Sequence, residues 1–514
     1  MNQTTLSPGC GRTALADTPP ATSAIGFAPE APSNPSPRLT IAAMAVPLAI
    51  VALFAGLVPL GKWQLDEYDT IFDLRVGGLG AFFHRLSTLS FRPVSEALIY
   101  LYARWVEGTG QQATTRFLGF TWLVLIGAMV LPAALQLRRR RSPVGWALLL
   151  LALTTLVLFL NSPEVGEVFY WPQGSFAYMP AIAALAFATL WIVGHEGDGP
   201  AIGIAVPAAL VVAAFSNEMG AMAALAFALS FLVLMAVANR RDRDEQSLAW
   251  FSWRLAAPIV ASLSVFAFIV GGRLRIKGEN VAGSDLHNLA GSLSQALVRF
   301  PEELVGWTSD GRDAVWITGM FFARVALFVG AFALFRTLAT RSRIRLLEAL
   351  ALVAGLFGGA FVSLLASYYQ FGSPCCQRHS TMRECLFVLG ILALARVASL
   401  LLPAREEVAA NRGSTILVLF IGATLLATIP NATRLRADYA DYDRALAARA
   451  ATWASGSSPG RTMTFTQPPL LRIVGGQEWP PGLHERTEGT HWIARIIMDF
   501  FRKDVIDMRP AGAG

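Results

Sequence analysis

Charge is what this chain is short of. Only 15% of its 514 residues are Asp, Glu, Lys or Arg, while 54% are hydrophobic. A soluble globular chain is about a quarter charged, so an ordinary water-soluble domain is excluded. Cysteine is scarce as well; four residues do not make a disulfide framework. There is no Gly-rich loop ending in Lys-Ser/Thr, no Gly-x-Ser-x-Gly elbow and no dinucleotide fingerprint, which argues against nucleotide-driven chemistry. No Cys/His spacing suggests zinc. The net charge of +7 does not point to nucleic acid. Much of it sits in short clusters such as Arg138-Arg139-Arg140-Arg141 and Arg240-Arg241-Asp242-Arg243, which read as membrane topology signals.

What the chain has instead is long apolar runs. A bilayer-crossing helix needs roughly 20 mostly apolar residues, and the runs here are continuous rather than alternating, which excludes a barrel. The fold class is therefore all-α and polytopic. Eleven spans are expected, at 39–60, 115–137, 144–160, 176–193, 201–215, 221–238, 249–270, 314–335, 346–367, 384–402 and 414–429. Residues 1–38, rich in Pro, Ser, Thr and Ala, read as a disordered tail. The first span begins late and is longer than a signal h-region, so it is expected to be retained.

With the N-terminus in the cytoplasm, Arg138 to Arg141, Arg240 to Arg243, and the basic stretch from Arg336 to Arg345 all fall inside. Residues 431–514 then fall outside and read as a small domain. It is expected to hold a helical stretch over 432–453, a strand over 461–465 and a final helix near 491–502. The long outer segment after the first span, with Phe82, Phe83, Leu86 and Leu89 amid basic residues, suggests amphipathic helices at the interface.

The uncommon polar residues gather at the outer ends of the spans. Asp66-Glu67-Tyr68-Asp69 follows the first span. Such carboxylates can take a proton from a sugar hydroxyl, or two can share a divalent cation; a solvated acidic loop is the plain alternative. Between the third and fourth spans lies Glu164-Val-Gly-Glu167-Val-Phe-Tyr170-Trp171-Pro-Gln173-Gly-Ser-Phe-Ala-Tyr178-Met-Pro180. Its aromatics suit an interfacial belt, yet a simple hairpin needs no Gln173, Gly174 or Ser175 beside them, and aromatic faces with amides suit a sugar. Ser216-Asn217-Glu218 ends the fifth span, as a turn or as a functional carboxylate. Before the tenth span come Gln377-Arg378-His379, Arg383 and Glu384. Arginine there runs against the positive-inside bias, and it grips phosphate oxygens in a bidentate manner; snorkelling is the alternative. Cys375, Cys376 and Cys385 are either disulfide partners or free thiols.

Taken in order, Asp66-Glu67, Phe91-Arg92-Pro93-Val94-Ser95-Glu96, Tyr170-Trp171 through Gly174-Ser175 and Tyr178, Asn217-Glu218 and the basic pair Arg378-His379 resemble the GT-C superfamily of integral membrane glycosyltransferases. The likeness is nearest to a branch of bacterial multi-span proteins and covers roughly residues 40 to 505. The tail, with His491-Trp492, Ala494 and Phe500-Phe501, is similar to that branch but departs from its Trp-x-Asn and Tyr-Tyr-Gly.

The resemblance implies a GT-C-like bundle in a bacterial inner membrane. It implies transfer of a sugar, on the non-cytoplasmic face, from a polyprenyl-phosphate donor to a glycan, lipid or protein acceptor, with inversion. No cofactor is implied beyond the divalent cation already weighed. The catalytic base becomes Asp66 or Glu67, with Asp66 preferred as nearer the first span, and Arg378 or His379 holds the donor phosphate. Asp69, Arg92, Glu164, Glu167, Tyr170, Trp171, Gln173, Tyr178, Asn217, Glu218 and Arg383 complete the expected substrate-binding set. Of these, Glu167, Trp171, Gln173 and Glu218 are expected to line one outward-facing cavity with Asp66, Glu67 and Arg378. Two other classes stay open. A lipid-linked saccharide transporter would want broken helices at the midplane and an internal repeat; neither is evident. A non-enzymatic envelope assembly protein would tolerate loss of Asp66, Glu67 and Arg378.

Overall fold

The computed structural model describes residues 37–509 apart from 89–90, 141–142, 196–199, 243–244, 276–287, 307–313, 338–341, 375–376, 403–411 and 476–491. The expected N-terminal tail, the Cys375–Cys376 pair and His491 lie outside the described residues, apart from the last two tail positions.

The chain is an all-α polytopic membrane protein. Among the described residues nine helices are long and apolar enough to cross a bilayer. They are α1 (Pro37–Gly56), α4 (Gln112–Arg140), α6 (Pro172–Gly194), α8 (Glu218–Asp242), α9 (Glu245–Arg275), α11 (Ala314–Phe335), α12 (Arg343–Phe371), α13 (Gln377–Leu401) and α14 (Arg412–Thr428). Two further apolar helices, α5 (Pro143–Leu160) and α7 (Ala205–Ser216), fall where the third and fifth spans are expected but are shorter. The cause at α7 is visible. Residues 201–204 form a turn, held where Ile202 N–H donates to Glu348 Oε1 at 3.0 Å, so the helix begins later than hydropathy suggests. Helix α5 is apolar on every side because protein surrounds it; Leu156, Val157, Leu158, Phe159 and Leu160 are all fully buried.

The outer segment after α1 forms two helices, α2 (Leu65–Thr88) and α3 (Pro93–Thr109). Both leave apolar side chains exposed, Val76, Leu79 and Phe83 on α2 and Leu101 and Trp105 on α3. Helix α2 bends at Gly78, whose φ of 56° only glycine adopts without strain. After Pro93 fixes the start of α3, Arg85 on the far half of α2 ties the two together by donating to Glu96 at 2.9 Å.

After α14 come α15 (Ala432–Ala440), α16 (Tyr442–Ser457), β1 (Thr462–Thr466), α17 (Trp492–Phe501) and β2 (Val505–Arg509). The two strands pair in parallel, Met463 opposite Ile506 and Phe465 opposite Met508. The expected helices and first strand are present; β2 was not anticipated. This segment packs onto α2 and α3. Phe465, Ile497, Phe500 and Ile506 share one buried cluster with Trp63, Tyr68, Ile71 and Tyr102. Arg449 on α16 donates to the carbonyls of Pro59, Leu60 and Gly61, fixing the segment to the end of α1. The short stretch that leads into Asp66 is thus clamped from both sides. Trp63 Nε1 donates to Thr114 at 2.7 Å, and its ring sits edge-on to Tyr68, Trp453 and Phe500.

Helix α10 (Leu289–Val305) is charged on its inward face. Arg383 of α13 grips its Glu303 at 2.7 and 3.0 Å, and Arg324 of α11 donates to the carbonyls of Glu303 and Leu304. Arg324 also pairs with Glu384.

Candidate active site

A cavity of about 820 Å³ opens at one end of the bundle. The start of α2, the start of α6, the α7–α8 junction, the end of α12 and the start of α13 all meet there. Its wall carries Asp66, Asp69, Arg92, Trp171, Gln173, Tyr178, Glu218, Arg378 and His379, nine of the expected site residues from five separate stretches of sequence.

Each is placed by local chemistry. Helix α2 begins with acids in its first turn, where the helix dipole favours them, and this aims Asp66 and Asp69 at the cavity one turn apart. Partial burial, then the neighbouring Asp73 and Asp66, raise the Asp69 carboxyl above its ordinary range. Ahead of α6, residues Gly166–Tyr170 form a π-helical turn. Trp171 is extended and Pro172 starts the helix. Gly174 is required here: a Cβ would lie 2.0 Å from the Glu167 carbonyl oxygen and 2.8 Å from the Trp171 ring. Gln173 Nε2 donates to the Asp66 carbonyl at 2.9 Å, joining α6 to α2.

Arg92 donates from Nε and Nη2 to Glu218 Oε1 at 3.0 and 2.8 Å. Arg378 makes no ion pair among the described residues; its guanidinium carbon lies 5.3 Å from the Trp171 ring centre. His379 lies beside Tyr178, ring centres 6.0 Å apart. Among the described residues Asp66 and Asp69 on α2 and Arg378 on α13 make no ion pair, and all three face the same cavity, with Tyr178 beside the Arg378 guanidinium. One flank of the wall is apolar: Met219, Met222, Phe266, Phe268 and Ile269, with Phe91 stacked on Phe268 at 4.1 Å.

Six expected site residues do not reach this wall. Glu67 is fully buried behind it, its Oε2 accepting from Trp171 Nε1 at 2.5 Å. Burial pushes its carboxyl well above the usual carboxylate range. Glu167 faces the other way, accepting from Lys62 at 2.9 Å and Gln64 at 2.8 Å. Glu164 is half-buried in the turn after α5, where its carbonyl accepts from Glu167 N–H at 3.1 Å. Tyr170 is buried, its hydroxyl donating to the Phe54 carbonyl at 2.7 Å. Asn217 joins α6 and α8, donating to the Ala177 carbonyl and accepting from Gly220 N–H. Arg383 is spent on Glu303. The side chains of Glu67, Glu167, Tyr170, Asn217 and Arg383 each meet a protein partner, which is the rule for the interior, although Glu67 Oε1 and Arg383 Nη1 are buried without a hydrogen bond among the described residues.

Among the wall residues that the sequence does not single out are Arg85, Glu96, Tyr369 and Gln370. Glu96 was visible only inside the Phe91–Glu96 motif. Tyr369 and Gln370 end a long apolar run, where nothing in the local pattern separates a cavity edge from a helix end. Cys385 is a buried free thiol. Among the described residues no group of three or more His, Cys, Asp or Glu could hold a metal ion, which leaves Asp66 and Asp69 as the carboxylates available to a shared cation.

No protein-family model, curated protein or solved structure matches this chain.

Proposed function

We propose that the chain is a membrane glycosyltransferase of the GT-C kind, moving a sugar from a polyprenyl-phosphate donor to a glycan, lipid or protein acceptor on the extracytoplasmic side of a bacterial inner membrane. The observation that carries this reading is one cavity with Asp66 and Asp69 on one wall and Arg378 on another, none of them in an ion pair among the described residues, with aromatic side chains near both and an apolar flank. Arg378, with His379 beside it, suits the donor phosphate. Phe266, Phe268 and Ile269 suit the start of a prenyl chain, and Trp171 and Tyr178 suit a sugar face.

In this reading Asp66 takes the proton of the acceptor hydroxyl. The acceptor oxygen bonds to the anomeric carbon from the face opposite the phosphate. The bond from that carbon to the phosphate oxygen breaks, and Arg378 stabilises the charge left on the polyprenyl phosphate. Asp66 is favoured over Glu67 because it reaches the cavity and Glu67 does not. The short helices α5 and α7 count as spans, giving eleven, with the N-terminus cytoplasmic and the segment after α14 outside. In support, Arg138, Arg336 and Arg343 lie at helix ends opposite the cavity.

The test is transfer from a labelled polyprenyl-phosphate sugar by the purified full chain. Wild-type protein should transfer sugar, and Asp66→Asn should lose about two to four orders of magnitude in rate. Equal rates in the two would overturn the reading.

A further inference from the structure

The first two acids of α2 are adjacent in sequence but occupy different worlds. Asp66 faces the cavity, and Glu67 is sealed behind it with no exposed surface. Trp171 is its hydrogen-bond partner there, and Tyr102 lies alongside. Glu67 Oε2 accepts the Trp171 indole N–H at 2.5 Å. Trp171 is itself almost wholly buried, and its ring turns toward the Arg378 guanidinium, 5.3 Å away. Trp171 is also the residue at which the π-helical turn gives way to α6, and its ring is held there by packing against Gly174 and by the acceptor at its indole nitrogen.

From this chain of contacts we infer that Glu67 is a positioning residue that fixes the Trp171 ring, and through its face the Arg378 guanidinium, for the phosphate of a polyprenyl-phosphate ligand. The inference rests on the transferase reading for the identity of that ligand, but the contacts themselves do not depend on transfer. Glu67 thereby couples the helix that carries the cavity acids to the helix that carries the cavity arginine, without touching substrate. What Trp171 needs is an acceptor at that point rather than a charge. A glutamine supplies one through its side-chain carbonyl; a leucine does not.

The experiment uses the full chain in detergent, labelled with fluorotryptophan, with undecaprenyl phosphate as the binding probe. The Trp171 resonance is identified among the 13 tryptophans by its loss in Trp171→Phe. Glu67→Leu and Arg378→Ala should each shift that resonance, and Glu67→Gln should leave it near its wild-type position. The dissociation constant for undecaprenyl phosphate should rise about tenfold in Glu67→Leu, as expected for loss of one buried hydrogen bond. Trp171→Phe should weaken binding similarly, and adding Glu67→Leu to it should cost little more. Trp171→Phe keeps the test alive if Glu67→Leu fails to fold.

Unchanged binding and an unchanged resonance in Glu67→Leu would overturn the proposal. So would loss of sugar transfer in Glu67→Gln with binding intact; Glu67 would then be the base, and the transferase reading would survive. Binding with the expected dependences but no transfer by wild-type protein would sink the transferase reading and leave the positioning role standing. No binding by wild-type protein would remove both.

Discussion

Arg92 and Glu218, 126 residues apart, meet through a single carboxylate oxygen that accepts two guanidinium N–H groups. The pair joins the start of α3 to the start of α8 across the cavity. It also decides which cation is left for a ligand. Arg85 is spent on Glu96 and Arg92 on Glu218, so Arg378 is the cavity arginine without a carboxylate among the described residues. An anionic headgroup entering the cavity therefore meets, among the described residues, one guanidinium without a carboxylate.

Removing one member of the Arg92–Glu218 pair strands the other in a wall that is only about a quarter open to solvent. Arg92→Gln or Glu218→Gln should each lower stability by about 1–3 kcal/mol, less than for a fully buried pair because solvent reaches both groups. The double substitution should cost clearly less than the two single effects combined. Thermal unfolding of the four proteins in detergent measures this, and strict additivity would show that the contact is not energetically coupled.

Arg383 belongs to the scaffold. Its Nε and Nη2 both donate to Glu303 of α10, and neither residue is open to the cavity. Arg383→Ala should destabilise the protein by about 3–5 kcal/mol, the usual result of orphaning one member of a buried pair. Arg383→Met combined with Glu303→Gln should recover most of that loss. Undecaprenyl phosphate affinity in the recovered double variant should match wild type. A large affinity loss there, with stability restored, would return Arg383 to the binding site.

The contrast between Arg378 and Arg383 shows what the sequence could and could not reveal. Both stand in the first two turns of one helix, five residues apart, and hydropathy treats them alike. Only the position of α10, which is distant in sequence, gives Arg383 a carboxylate partner where Arg378 has none among the described residues. The same holds for Asp66 and Glu67, where one helical step turns a side chain from the cavity to the interior. Spans were legible because long apolar runs have few other uses, and α7 came out short because Glu348, 146 residues away from Ile202, caps the turn before it. Strand β2 stayed hidden for a related reason: residues 505–509 are too few to show alternation, and their partner is 43 positions earlier in register.

Glu67 also predicts a pH dependence with a definite sign. Burial raises its carboxyl well above the ordinary range in the folded chain. The unfolded chain releases that proton near pH about 4.3. Above that point the folded state binds more protons than the unfolded one, so stability falls as pH rises. The contribution is whole below the unfolded value and is lost as pH climbs through the raised folded value, by up to about 1.4 kcal/mol per pH unit. Glu67→Gln stays neutral at every pH and should flatten the slope. Midpoints of thermal unfolding measured from about pH 5 to 8 give the comparison; parallel curves for the two proteins would contradict it.

The topology makes its own prediction. With eleven spans and a cytoplasmic N-terminus, reporter fusions after Arg141 and after Gly514 should report opposite compartments, since two crossings precede Arg141 and nine more separate it from Gly514. Fusions reporting the same compartment would mean that α5 or α7 does not cross, and the cavity would then have to be reassigned to a side.

Arg378 gives the sharpest separation of binding from chemistry. It faces the cavity, carries no carboxylate partner among the described residues and is backed by the Trp171 ring. In the transferase reading the donor phosphate carries negative charge before the reaction and gains more as the sugar leaves. A guanidinium there should help in both states, and more in the second. Arg378→Ala should therefore raise the KM for the polyprenyl-phosphate sugar by about tenfold and lower kcat by a further ten- to hundredfold. Arg378→Lys should restore part of the KM effect, because a point charge still attracts phosphate, but less of kcat, because the planar fork and its stacking on Trp171 are gone. Steady-state kinetics on the three proteins decide the matter. A rise in KM with kcat untouched would make Arg378 a docking residue only, and no change in either would remove it from the phosphate site.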